Sequence, residues 1–83
     1  MSALSTVGKN QAELTAIADE AVRSEPGCET ARIARVQALP GVREGRNWEI
    51  PHVVLGDSLI SDVDRAVITV HRRLGRKFHL LTD

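Results

Sequence analysis

The sequence predicts a small two-layer α+β domain of order α-β-β-α, in which an antiparallel hairpin packs against two amphipathic helices. Three observations carry the prediction. Leu14, Ile17, Ala18, Ala21 and Val22 fall on one face of a helical period. Ile60, Val63, Val67, Val70 and Leu74 do the same near the other end of the chain. Between them lie two segments of strand character, joined by a polar stretch, PGVREGRN, that holds one proline and two glycines.

Met1 to Lys9 is small and polar and reads as a flexible N-terminus, which leaves residues 10–83 as the single folded domain. Asn10 followed by Glu13 forms a capping-box pair, each side chain satisfying the other residue's backbone N–H. Pro26 lacks the N–H that a continuing helix needs, so the first helix ends before it and Gly27 admits a chain reversal.

The next stretch, CETARIARVQALPG, is ambiguous. Ile33, Val36 and Leu39 recur every third residue, whereas Ala31, Ile33 and Arg35 alternate. The Pro40-Gly41 and Gly45 that follow favour a strand over Ala31 to Ala38, opening a hairpin. On the return, WEIPHVVL sets Trp48, Ile50, His52 and Val54 on one face and Glu49, Pro51, Val53 and Leu55 on the other. Pro51 cannot donate to a ladder, so this strand lies at an edge or breaks there.

In GDSLISDVD, Asp57, Ser58 and Ser61 are N-cap candidates, and Ser61 with Asp64 makes a second box-like pair. The seam from Ile60 to Leu74 suits a short coiled coil or a helix docked on a sheet. Gly75 is expected to cap that helix, after which KFHLLTD runs extended and Phe78 with Leu80 or Leu81 closes the core.

Composition narrows the function classes. Apolar residues make up 42% and charged residues 27% of the chain, which is ordinary for a folded globular protein. A chain this short buries about 60–65% of the surface its unfolded form exposes, so stability is thin. Eleven cations balance eleven anions, so attraction to a polyanion has to be local. Cys28 stands alone, which excludes an intrachain disulfide and zinc-finger spacing and fits a reducing cytoplasm. The N-terminal residues lack a signal-peptide pattern, and no apolar run has the length of a membrane span.

No set of residues reads as catalytic, cofactor-binding or metal-ligating. Cys28 and the histidines His52, His71 and His79 have no spacing that brings them together, and Cys28 reads as a small buried hydrophobe. His52 alternates with apolar residues and reads as a core-edge side chain. Asp57, Asp62 and Asp64 lack the glycine and terminal glutamate of a calcium loop, and GVREG lacks the lysine and hydroxyl of a phosphate loop.

The segment HRRLGRKFH concentrates positive charge just where the second helix ends. Cations there complement the helix dipole, and the acids at the other end do likewise, so no ligand is required to explain them. The other reading is contact with a phosphate backbone through Arg43, Arg46, Arg72, Arg73, Arg76 and Lys77. Against it stands the scarcity of aromatic residues, only Trp48 and Phe78, which leaves no stacking platform.

GRNWEI, together with the preceding PGCE and the closing amphipathic helix, resembles short uncharacterised bacterial proteins that carry an Asn-Trp pair after a polar hairpin loop. The likeness covers residues 28 to 81 and implies no activity. In physical terms Trp48 should anchor helix against sheet while Asn47 suits the turn before it. Because two strands make a poor sheet, a second copy is expected to complete it. Pairing would run through Ala31 to Ala38, or through an interface of Trp48, Val63, Val67, Val70 and Leu74. The sequence thus points to a non-enzymatic protein-interaction or regulatory module, homodimeric, without cofactor, metal or membrane, with nucleic-acid binding as the alternative.

Overall fold

In the computed structural model, which describes residues 6–81, the elements run β1 (Val7–Lys9), α1 (Gln11–Arg23), β2 (Arg32–Ile33), β3 (Gln37–Arg43), β4 (Arg46–Glu49), β5 (Val53–Val54), α2 (Ile60–Gly75) and β6 (Phe78–Leu80). The chain is a small α+β domain. Its strands form three two-stranded ladders: β1 with β6 in parallel, and β2 with β5 and β3 with β4 antiparallel. The helices pack against one another, α2 against β4, and both against β6. No described helix is long and apolar enough to cross a membrane.

α1 starts as its sequence dictates. Asn10 Oδ1 accepts from the Glu13 N–H at 2.8 Å, and Glu13 Oε1 accepts from the Asn10 N–H at 3.1 Å. Leu14, Ala18 and Val22 are fully buried, with Ile17 and Ala21 packed beside them.

The segment read as one strand over Ala31 to Ala38 is instead divided. Three polar side chains of α1, one turn apart, take up its backbone: Asp19 accepts from the Ile33 N–H at 2.9 Å, Thr15 Oγ1 from the Val36 N–H at 3.0 Å, and Gln11 Nε2 donates to the Val36 carbonyl at 2.9 Å. Groups held by a helix cannot also form a continuous ladder. The residues before the break pair with Val53–Val54 and those after it with β4.

The hairpin is longer than the sequence suggests. Pro40 to Arg43 belong to β3, and the reversal is the two-residue turn Glu44-Gly45. Both have positive φ, 54° and 83°, the left-handed pair that a tight hairpin turn requires, and glycine meets it without strain. After β4 the strand breaks at Pro51. Trp48 and Ile50 are buried, whereas Val54 is 59% exposed and His52 is exposed rather than at the core edge.

At α2 three expectations change. Leu59 is the N-cap and makes no side-chain cap bond, while Ser58 Oγ is buried without a partner, so none of Asp57, Ser58 and Ser61 caps the helix. Ile60 is 64% exposed, and the buried stripe runs Val63, Ala66, Val70, Leu74. Gly75 is the last helical residue, with Arg76 as C-cap in right-handed conformation. Its small size serves packing: a Cβ there would lie 3.3 Å from that of Arg46.

Val7–Lys9, within the segment read as a flexible tail, pairs with β6, and the Val7 N–H donates to the Lys77 carbonyl at 2.8 Å. Beside β6 lies β4, joined to it by side chains. Asn47 Nδ2 donates to the Leu80 carbonyl at 2.9 Å and Asn47 Oδ1 accepts from the Leu80 N–H at 2.8 Å. Trp48 Nε1 donates to the Phe78 carbonyl at 3.1 Å. Asn47 is therefore a strand residue bonded across to β6, not a turn residue. Leu80 is buried; Phe78 is half-buried and Leu81 is 56% exposed, so Leu80 closes the core.

Removing the Asn47 amide strands both backbone groups of Leu80. Asn47→Ala is expected to cost about 2–3 kcal/mol in urea unfolding, against about 1 kcal/mol for Asn10→Ala at the helix cap. Equal costs would contradict the assignment of Asn47 as the link between β4 and β6.

Candidate functional site

The hairpin and the C-terminal half of α2 bring the predicted cations together. Arg43 and Arg46 face one another across the Glu44-Gly45 turn as ladder partners. Arg72 and Arg76, one helical turn apart, stand beside them. Arg43, Glu44, Arg46, Ile68, His71 and Arg72 line one cavity, of about 340 Å³. A smaller, more enclosed cavity of about 210 Å³ is lined by Glu44, Arg46, His71, Arg72 and Arg76. A further open groove of about 450 Å³ is lined by the same Arg72 and Arg76 with Thr69, Arg73 and Lys77. All six predicted phosphate contacts thus lie on one basic surface. Carboxylates paired with these cations are Glu44, 3.7 Å from Arg46, and Glu25, 3.8 Å from Arg73, and the charge of Glu49 also acts on His71.

Five of these cations are exposed; Arg46 is buried, at 6% exposure. It alternates with Trp48 and Ile50 along the strand and points with them toward α2. Its Nε donates to the Trp48 carbonyl at 2.8 Å, which fixes the plane of the guanidinium. His71 sits between Arg46 and the core. Its Nε2 accepts the Ile50 N–H at 2.9 Å, and its ring meets Trp48 edge-on at 5.8 Å between centroids. Burial, reinforced by the Arg46 charge, lowers the His71 pKa from its usual 6.5 to about 4, so the ring is neutral at ordinary pH.

The predicted interface residues lie elsewhere. Trp48, Val63, Val70 and Leu74 are in the core and Val67 is packed against it, so the face meant for a second copy is already covered by this chain. Cys28 is fully buried, its Sγ 3.6 Å from the Asp62 carbonyl oxygen. Burial, with Asp62 and Glu29 nearby, raises its pKa and suppresses the thiolate. His79 bonds Thr6 Oγ1 at 2.7 Å. Among the described residues no group of three or more His, Cys, Asp and Glu side chains is placed to hold a metal ion.

Sequence reasoning missed His71, Glu44 and Ile68 as parts of this surface. The available signal was the Glu-Gly pair, which fits a two-residue turn and would have set Arg43 opposite Arg46.

The chain matches no family model, no curated protein and no solved structure.

Two measurements check the geometry. Because the folded state holds His71 neutral, its contribution to stability is present above pH 6.5 and is lost as pH falls from there toward 4. The expected slope between pH 6.5 and pH 5 is below the limit of about 1.4 kcal/mol per pH unit, because the ring is only half-buried, and it disappears in His71→Gln. Cys28 should resist iodoacetamide in the native protein and react at the rate of a free thiol in denaturant. Native-state labelling at that rate would refute the burial.

Proposed function

We propose that the chain is a non-enzymatic binding module whose ligand is the phosphate backbone of a nucleic acid, held by Arg43, Arg46, Arg72, Arg73, Arg76 and Lys77. The observation that carries this reading is the convergence of cations from two separated stretches of sequence on adjoining cavities that share Arg72, two of them Arg76 as well. Complementing the dipole of α2 accounts for Arg72, Arg73, Arg76 and Lys77, but it gives no reason for the hairpin to bring Arg43 and Arg46 to the same place. Guanidinium groups dominate the set, and their planar donor forks suit phosphate oxygens. With Trp48 buried and Phe78 half-buried, base stacking has no platform, so contact falls on the backbone and sequence preference is weak.

Self-association, the other reading of the sequence, keeps only the half-buried Val67 of the interface assigned to it. Neither is the strand over Ala31 to Ala38 continuous enough to pair with a second copy.

The test is binding to a short duplex across a range of salt. The five exposed cations predict a log–log slope between about −4 and −5, reduced by about 1 in each of Arg72→Ala and Arg73→Ala, with similar affinity for unrelated sequences. Affinity that ignores salt, or is untouched by these substitutions, would refute the reading.

A further inference from the structure

We infer that Arg46, His71, Arg72 and Arg76 form a preformed subsite for a single phosphate monoester, filled by the terminal phosphate of a nucleic-acid strand. The inference rests on the phosphate-backbone reading above and adds to it which phosphate is preferred.

The first observation is a mismatch of donors. The Ile50 amide always carries its proton, so the His71 Nε2 that accepts it is bare, and the single proton of the neutral ring is on Nδ1. Arg46 NH2 lies 3.3 Å from that Nδ1. A guanidinium nitrogen has no lone pair to offer, so two donors face each other there. One oxygen seated beside them accepts from both. Arg46 Nε is already committed to the Trp48 carbonyl, and Glu44 at 3.7 Å is too far for a hydrogen bond. The terminal nitrogens of Arg46, a residue only 6% exposed, thus border the enclosed cavity with donor capacity to spare, which an anion seated there takes up.

The second observation is charge. Around that cavity of about 210 Å³ stand three guanidinium groups and one carboxylate, and His71 adds a proton donor without charge. The excess of two positive charges matches a phosphate monoester, which carries about −1.5 to −2 at neutral pH, better than an internal diester with one negative charge. Arg72 and Arg76 also line the open groove toward Arg73 and Lys77, so a strand whose end occupies the cavity has a basic path for its next phosphates. Glu44, 71% exposed on the hairpin turn, is the anion nearest Arg46 in the free protein and the one an incoming phosphate displaces.

The experiment titrates the full chain with a short oligothymidylate bearing either a 5′-phosphate or a 5′-hydroxyl, and separately with orthophosphate. Affinity is read by calorimetry, and His71 is followed through its ring nitrogen resonances. The phosphorylated strand is expected to bind about tenfold more tightly, the effect of one or two charge-assisted hydrogen bonds. Glu44→Gln should widen that preference and Arg76→Gln should narrow it; both positions are exposed, so the fold is retained. Orthophosphate should shift His71 Nδ1 and erase the preference while leaving binding of the hydroxyl strand intact. Equal affinity for the two strands, both still salt-dependent, would overturn the subsite and leave the backbone reading standing. Orthophosphate binding with neither strand bound would overturn the strand end as occupant. Failure of all three ligands would remove both proposals.

Discussion

The hairpin of β3 and β4 and the parallel pair of β1 and β6 share no backbone ladder, and the fold depends on the two adjacent side chains that take its place. The Asn47 amide offers a carbonyl and an N–H like those of a peptide unit, so it pairs with both polar groups of Leu80 as a neighbouring strand would. Trp48 reaches the same strand two residues earlier through its indole N–H, and its ring is wholly buried. Asn47 thus supplies register and Trp48 supplies apolar area. Without them β6, and β1 paired to it, would be a two-stranded ribbon of three residues each, held only by its packing on the two helices.

The same substitution of side chains for ladders recurs on the other side of the molecule. Gln11, Thr15 and Asp19 stand at successive turns of α1 beside its apolar stripe and bond the backbone of Ile33 and Val36. Asp19 is also within 3.3 Å of Arg23 and Arg32, which keeps its buried carboxylate compensated. A chain of 83 residues cannot build a wide sheet between two helices. It satisfies its interior backbone with whatever polar groups the helices and strands bring near.

That economy explains what the sequence discloses and what it hides. The capping box at Asn10, the stop at Pro26, the break at Pro51, the buried stripe of α1 and the Val63, Val70 and Leu74 part of that of α2 are local events, written in spacing and in the chemistry of single residues. The pairing of Val7 with Phe78 is not, because three residues carry no period and the partner is at the far end of the chain. Nor does spacing say that Gln11, Thr15 and Asp19 will bond the segment of Ile33 and Val36 and break its strand. The seam of α2 was legible as a seam, but whether it met another copy or this chain's own β4 depended on the sheet. For the basic surface, the cations themselves were legible and their convergence was not, since it required the Glu44-Gly45 turn to set Arg43 and Arg46 against α2.

A balanced formal charge hides how unevenly charge is placed along α2. The carboxylates Asp57, Asp62 and Asp64 lie at one end of α2 and Arg72, Arg73, Arg76 and Lys77 at the other. A helix of 16 residues spans about 24 Å, some three times the screening length of about 8 Å at physiological salt. An anion at the basic end is therefore screened from the acidic end, and the local field governs the encounter. The helix dipole makes this separation stable but does not exhaust its meaning, because it acts only on the last turn of α2. Arg46 belongs to the hairpin, and the geometry that buries it is specific. Gly75 leaves room for its stem, the Trp48 carbonyl holds its Nε, and His71 turns a second donor toward the same cavity. The strand that seats Trp48 in the core, alternating by two, is the one that holds Arg46 at the groove, so the tryptophan that secures the fold also fixes the position of its most enclosed positive charge.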